Sequence, residues 1–282
     1  HLRMSQYTSE LKQYKRILDL PDAYSLYWKR RTEMKSNFFI NLFHNIEYRK
    51  VLKYEEVIKK YDLNLVCSQE DKDFLINKHE IENIDLLPNG VDTSSFKSDG
   101  HNYGIENRLI FTGNMDYFPN IDAVQYFVSD IFPHLLMIFP DLKFYIVGQK
   151  PVKQVKELES ENIIITGFVD DLSKEYDKST IAISPIRYGA GTLNKVLEPM
   201  AIGIPVVSTE IGFKGLGIKS GEGVLLSLNK SEFIDNVTRL LASKELRKQT
   251  GELGKKVIYD NYDWDIIANK LEAYFKGILK QK

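Results

Sequence analysis

Between residues 108 and 227 short apolar runs recur at intervals filled by helical patterns, and this alternation restricts the fold more than any other feature of the chain. The runs are RLIFTG (108–113), KFYIVG (143–148), NIIITG (162–167), TIAISP (180–185), IPVVST (204–209) and GVLLS (223–227). Several are continuously apolar rather than alternating, which is the pattern of strands covered on both faces. Parallel strands need crossovers of about a dozen residues, and the intervening segments have that length. The fold class that follows is α/β, with a doubly wound sheet in this part of the chain. Ligands of such sheets bind beyond the carboxyl ends of the strands, which here are Gly113, Gly148, Gly167 and the turn after Pro185. The closing segments KSEFIDNVTRLLAS and DWDIIANKLEAYFKGIL read as amphipathic helices, the second over 263–279.

The first hundred residues read differently. A mostly helical stretch covers 35–61, a strand follows at 63–67, Ser68 caps a helix with acidic residues in its first turn, and a second strand runs over 84–87. The turn- and linker-forming stretch LLPNGVDTSSFKSDGHNYG (86–104) then separates two domains, 1–98 and 99–282, with the last helix expected to pack back on the first. Two strands make a poor sheet, so the first domain reads as the second half of an α/β unit whose early strands lie upstream. A chain that begins at His1 fits that expectation. The formal net charge of −1 argues against a nucleic-acid partner. The single cysteine, Cys67, favours a reducing compartment, hence the cytoplasm. No apolar run approaches the ~18 residues of a membrane span, and no signal peptide opens the chain.

The stretch SPIRYGAGTLNKVLEPMAIGIPVVST (184–209) is the least generic. Thr192 can cap a helix whose apolar face is Leu193, Val196, Leu197, Met200 and Ala201, while Lys195 and Glu198, three apart, share the opposite face. Gly189 and Gly191, flanking Ala190, let the backbone approach a ligand, and a helix start offers N–H groups to an anion such as a diphosphate. Lys195 could add charge to that anion, and Glu198 could accept hydrogen bonds from the diol of a ribose. The competing reading is an ordinary exposed pair beside a plain loop, because a short Gly-x-Gly is weak by itself. Pro199 removes one helical N–H and predicts a kink or a later start.

At this point the chain resembles a known family. PIRYGAGTLNKVLEPMAIGIPVVSTEIGFKGL is similar to the donor-binding segment of retaining, nucleotide-sugar-dependent glycosyltransferases of the family-4 type, which have the GT-B fold of two facing Rossmann-like domains. LLPNGVDTSSF resembles their interdomain linker, FTGNMDYFPNIDAVQYF the first βα unit of their second domain, and FYIVGQKP and ITGFVDDL the next two. HLRMSQY, DLPDAYSLYWKRR and EYRKVLKYE resemble a subgroup of sugar transferases of exopolysaccharide systems. The resemblance implies transfer of a sugar from a nucleotide-diphosphate donor to a hydroxyl of a saccharide or lipid-linked saccharide, with retention and without a metal ion or other cofactor. It assigns Glu198 to the donor ribose. The first glutamate of the family pair falls at Ala190, so sugar recognition passes to the backbone of the segment Gly189, Ala190, Gly191, Thr192 and Leu193. Gly113 and Asn114 stand where the family often has Gly-Arg, leaving Lys195, helped by Arg187, to neutralise the leaving diphosphate. The turn of Gly167, Phe168, Val169 and Asp170 resembles the one that reads the base. The family's histidine near the catalytic centre has no counterpart, and Pro21 and Asp22 fall in that neighbourhood. An epimerase of the same fold and a non-catalytic nucleotide-binding remnant are the alternatives.

Other residues carry weaker readings. No aspartates at DxD spacing end a strand, since those of VDD are adjacent. Lys150 reads as a surface residue near the cleft, and His44 with Glu47 as a solvated face rather than a metal pair, since no third ligand is in sight. The mixture YWKRRTEMKSNFFINLF (27–43) reads as a packed helix with a charged outer face; contact with an anionic membrane, at its inner side, or with a lipid-linked acceptor is the competing reading.

Overall fold

A computed structural model describes residues 1–33, 37–98, 100–105, 107–188 and 194–280. The first lobe runs α1 (Ser5–Thr8), β1 (Ile17–Leu20), α2 (Tyr24–Glu33), α3 (Phe38–Glu55), β2 (Leu63–Val66), α4 (Gln69–His79) and β3 (Ile84–Leu86). Its sheet has the order β1-β2-β3, all parallel, with Ile17 opposite Leu63 and Asn64 opposite Ile84. The strand β1 is a correction to the two-strand reading. ILDL is short, carries exposed Asp19, and pairs with a strand far along the chain, so it leaves no local signal. Ser68 does cap α4, its hydroxyl accepting from the Asp71 amide at 3.1 Å.

The second lobe continues with β4 (Arg108–Thr112), α5 (Phe118–Tyr126), α6 (Phe132–Ile138), β5 (Lys143–Val147), α7 (Lys153–Lys156), β6 (Ile163–Gly167), α8 (Leu172–Asp177) and β7 (Ile181–Ser184). It closes with α9 (Asn194–Ile202), β8 (Val206–Thr209), α10 (Glu210–Lys214), β9 (Val224–Ser227), α11 (Lys230–Ala242), α12 (Lys244–Asn261) and α13 (Trp264–Lys280). All six strands expected from the apolar runs are present, parallel, in the order β6-β5-β4-β7-β8-β9. The order reverses between β4 and β7, and a crevice opens at such a switch point. Apolar clusters cover both faces of this sheet, one including Leu109, Phe111 and Phe144, the other Ile110, Val147 and Val206. That double cover is why the strands read as unbroken apolar runs.

Helix α12 was not foreseen, because Gly251 and Gly254 sit inside it among many charges. Those glycines are what let it pack. A Cβ on Gly251 would overlap the Gly203 carbonyl, and one on Gly254 would come 2.6 Å from the Gly223 Cα. We therefore expect Gly251→Ala to destabilise the protein by about 1–3 kcal/mol through overpacking, although alanine is intrinsically the better helix former by roughly 0.5–1 kcal/mol. Gly277→Ala in α13, where nothing lies within 4 Å, isolates the propensity and should raise the melting temperature. Equal shifts for the two variants would disprove the close packing.

Two stretches join the lobes. The chain leaves β3 through Val91 and returns at Tyr262 to Trp264, and the stretches are bonded to each other: Val91 N–H donates to the Tyr262 carbonyl at 2.7 Å, and Trp264 N–H to the Val91 carbonyl at 3.2 Å. Helix α13 then runs back along the first lobe, where the Tyr274 hydroxyl donates to the Leu86 carbonyl at 3.0 Å.

Candidate functional site

A cleft of about 630 Å³ lies at the switch point, lined by the ends of β4, β5 and β6, by the segment after β7, by α5 and α9, and by Pro21 and Asp22 from beyond β1. Its floor is backbone. Gly113 and Gly148 end β4 and β5 with φ of 154° and 149°, conformations that only glycine adopts comfortably. They lie so close that a Cβ on Gly148 would overlap the Gly113 carbonyl oxygen, and one on Gly113 would come 2.5 Å from Asn120 Nδ2. Bare backbone here leaves room for a ligand to lie against the strand ends.

Helix α9 forms one wall. Val196, Leu197, Met200 and Ala201 are buried in the core, as the helical spacing predicts, which turns Lys195 and Glu198 toward the cleft. They are not an exposed pair. Lys195 keeps part of its side chain accessible, but its ammonium is enclosed, lying 4.6 Å from the centroid of Phe111 and donating to Asn120 Oδ1. Burial pushes its pKa down to about 7, against the opposing pull of Glu198. Glu198 accepts from the Tyr176 hydroxyl at 3.1 Å, and Tyr176 in turn meets Thr112 at 2.6 Å. Burial raises the Glu198 pKa, which the Tyr176 hydrogen bond and Lys195 oppose in part. Each member of the pair thus has its own neutral hydrogen-bond partner. Pro199 lies inside α9 near its end, with the Gly203 amide donating to its carbonyl at 3.1 Å.

Across the cleft stands Asp22. Burial first, and the neighbouring Asp71 second, raise its pKa to about 6. Asp71 is occupied with the Ala23 amide at 3.2 Å and the Ser68 hydroxyl.

Of the other residues singled out in the sequence, Asn114 and Val169 line the cleft with Gly113, whereas Gly167 lies just behind it, its carbonyl accepting from the Gly148 amide at 3.0 Å. Arg187 does not join them. Its guanidinium stacks 4.6 Å from the centroid of Tyr126 and is held by Asp122, with the Nε contact at 2.8 Å, on the side where α10 begins. The residues Gly189, Ala190, Gly191, Thr192 and Leu193 lie outside the described residues. Lys150 pairs with Asp116 at 3.6 Å, and Gln149 lines the cleft in its place. His44 is buried against Trp28, its ring nitrogen 3.1 Å from the Arg31 carbonyl, while Glu47 pairs with Lys50. Among the described residues, no group of three His, Cys, Asp or Glu could hold a metal ion. Sequence reasoning gave no role to Asn120, Tyr176 or Thr112. Asn120 sits in a motif already noted, FPNID, but Tyr176 and Thr112 reach Glu198 only through the fold.

Comparisons with known proteins bear on the fold of the two lobes. Residues 106–243 match the family model for glycosyl transferases group 1. An uncharacterized 44.6 kDa protein in the cps region of Klebsiella pneumoniae is 25% identical over 234 residues, which are 78% of this chain; the chain spans 60% of that relative's length. Among solved structures, sucrose-phosphate synthase from Thermosynechococcus elongatus superposes over 100% of this chain and 73% of its own, with a TM-score of 0.77 and 15% identity. Anabaena HepE in complex with UDP and glucose covers 98% of this chain and 75% of its own, at a TM-score of 0.73 and 14% identity. S. aureus TarM in complex with Fondaparinux, alpha-GlcNAc-glycerol and UDP covers 96% and 52%, at 0.73 and 18%. Two facing parallel sheets, a cleft at the switch point of the second, and these likenesses make the fold GT-B, with a second lobe that matches glycosyl transferases group 1.

Proposed function

We propose that the protein moves a sugar from a nucleotide-diphosphate donor to a hydroxyl of a saccharide acceptor, with retention, in surface polysaccharide synthesis. The observation that carries this reading is the enclosed ammonium of Lys195 over a glycine floor, in a lobe that matches a glycosyltransferase family. The diphosphate lies between the strand ends and α9, its charge met by Lys195, whose enclosed ammonium is screened by water less than a surface one. The Glu198 carboxylate accepts from the ribose hydroxyls, and the turn at Phe168 and Val169 flanks the base. Arg187, committed to Asp122, has no part in this reading.

In the transfer, the bond from the sugar's anomeric carbon to the diphosphate oxygen breaks as the bond to the acceptor oxygen forms on the same face. The acceptor's proton passes to the leaving phosphate, so no protein nucleophile enters. No metal ion enters either, since Lys195 supplies the positive charge. The Klebsiella relative's cps region supports the polysaccharide setting. The UDP held by two neighbours of the fold makes a uridine nucleotide the first to try.

Calorimetric titration with UDP, GDP, ADP and their sugar conjugates, with magnesium and then with a chelator, tests the reading. Saturable binding of one nucleotide in the chelator is expected, and Glu198→Ala should weaken it by about tenfold to a hundredfold, the loss of hydrogen bonds to a charged group. No binding of any nucleotide would overturn it. Consumption of the donor without an acceptor, giving an isomeric sugar nucleotide, would replace transfer by epimerisation.

A further inference from the structure

Asp22 lines the cleft from the first lobe, and among the described residues nothing donates a hydrogen bond to its carboxylate or forms an ion pair with it. An aspartate just ahead of a helix ordinarily caps it. At the start of α2 that task is taken by others: the Ala23 amide donates to Asp71 at 3.2 Å, and the Ser25 amide to Glu55 at 3.0 Å. The residue before it is held as well, the Pro21 carbonyl accepting from Cys67 Sγ at 2.6 Å. Asp22 therefore sits on a fixed turn. Its surroundings oppose its charge, burial first and then Asp71, which is itself buried. A half-buried carboxylate with no donor, set beside a second carboxylate, costs the folded chain free energy. A ligand that brings hydrogen-bond donors into the cleft offsets that cost.

We propose that Asp22 accepts hydrogen bonds from hydroxyls of the transferred sugar and, with Asp71 beside it, selects a neutral hexose over a uronic acid. Sugar transfer as proposed above underlies this assignment. With the diphosphate at Lys195 and the base at Phe168 and Val169, the group carried by the diphosphate extends into the rest of the cleft, whose wall on the first lobe is Pro21 and Asp22. Neighbouring sugar hydroxyls supply the donors that an ionised carboxylate lacks here, and a carboxylate accepts from two of them at once. A sugar that carries its own carboxylate meets repulsion instead, so the same group that holds one class of donor rejects another.

Calorimetry on the whole chain with UDP, with its glucose, galactose and N-acetylglucosamine conjugates, and with UDP-glucuronic acid tests the assignment; if GDP or ADP is the nucleotide that binds, its corresponding conjugates take their place. The wild type should bind the uronic acid conjugate at least about tenfold more weakly than the neutral one it binds best, through repulsion between carboxylates. Asp22→Asn should weaken the neutral conjugate by about tenfold, as charge-assisted hydrogen bonds become neutral ones. The same variant should strengthen the uronic acid conjugate and leave the free nucleotide unchanged. Its melting temperature should not fall, since the carboxylate it loses has no partner. Equal binding of uronic acid and neutral conjugates by the wild type overturns the assignment and leaves the nucleotide site standing. So does an asparagine variant that keeps full affinity for the neutral conjugate, or one whose three affinities shift alike, the mark of a merely structural role. If no nucleotide binds, sugar transfer and this role for Asp22 fail together.

Discussion

UDP affinity should fall by roughly tenfold for each pH unit above about 8, and Lys195→Arg should remove most of that dependence. The free cleft holds the Lys195 ammonium at a pKa of about 7 because burial disfavours its charge. A diphosphate seated beside it favours the charged form and raises that pKa, so binding takes up a proton. The sign follows: affinity is full below the free pKa and is lost as pH rises between the free and bound values, with a slope set by one proton. Of the other groups at the cleft, Glu198 is also pushed up by burial, so the profile is repeated with Glu198→Gln, which should keep the slope. Asp22, at about 6, is ionised before this window, Tyr117 at about 12 and Tyr176 well above its ordinary value remain protonated, and a terminal phosphate ionises at about 6. Calorimetry at pH 8 in two buffers of different ionisation enthalpy counts the proton directly. Lys195→Met should bind about a hundredfold more weakly than wild type at pH 7, the loss of a charge paired with a phosphate in an enclosed site. A flat profile in the wild type would mean that Lys195 does not meet the anion.

The second large effect concerns the floor. Gly148→Ala should destabilise the protein by about 4 kcal/mol or more, combining overlap with the Gly113 carbonyl and a backbone conformation that costs other residues about 1–3 kcal/mol. In a protein of this size that lowers the melting temperature by about 10 °C. Gly167→Ala is the matched comparison. Its φ is 70°, but no atom lies within 4 Å of the added carbon, so only the backbone cost of about 1–2 kcal/mol applies. Similar melting temperatures for the two variants would show that the strand ends are not in contact.

These effects also show how far the sequence could be read. The strands of the second lobe were legible because burial on both faces left unbroken apolar runs, and the cleft followed from where those runs stop. Lys195 and Glu198 were legible as a pair because helical spacing puts residues three apart on one face. Their enclosure was not, because the atoms that enclose them, Phe111, Asn120 and Tyr176, come from β4, α5 and α8. Arg187 lay close to the site in sequence but reaches Asp122 across the fold, a pairing no spacing encodes. At the start of α3, where basic residues next to aromatics suggested a charged exterior, Phe38, Phe39 and Phe43 face outward instead.

The two joining stretches at Val91 and at Tyr262 to Trp264 have a mechanical consequence. Because they lie side by side and are bonded to each other, and because Gly90 leaves space that the Trp264 ring fills to within 2.6 Å of where a Cβ would stand, they act as one narrow strap. Bodies tied along a single line can swing about that line without stretching either tie, but cannot twist across it. Any change in the angle between the lobes, and so in the distance from Asp22 to Lys195 across the cleft, must therefore bend the chain at this strap.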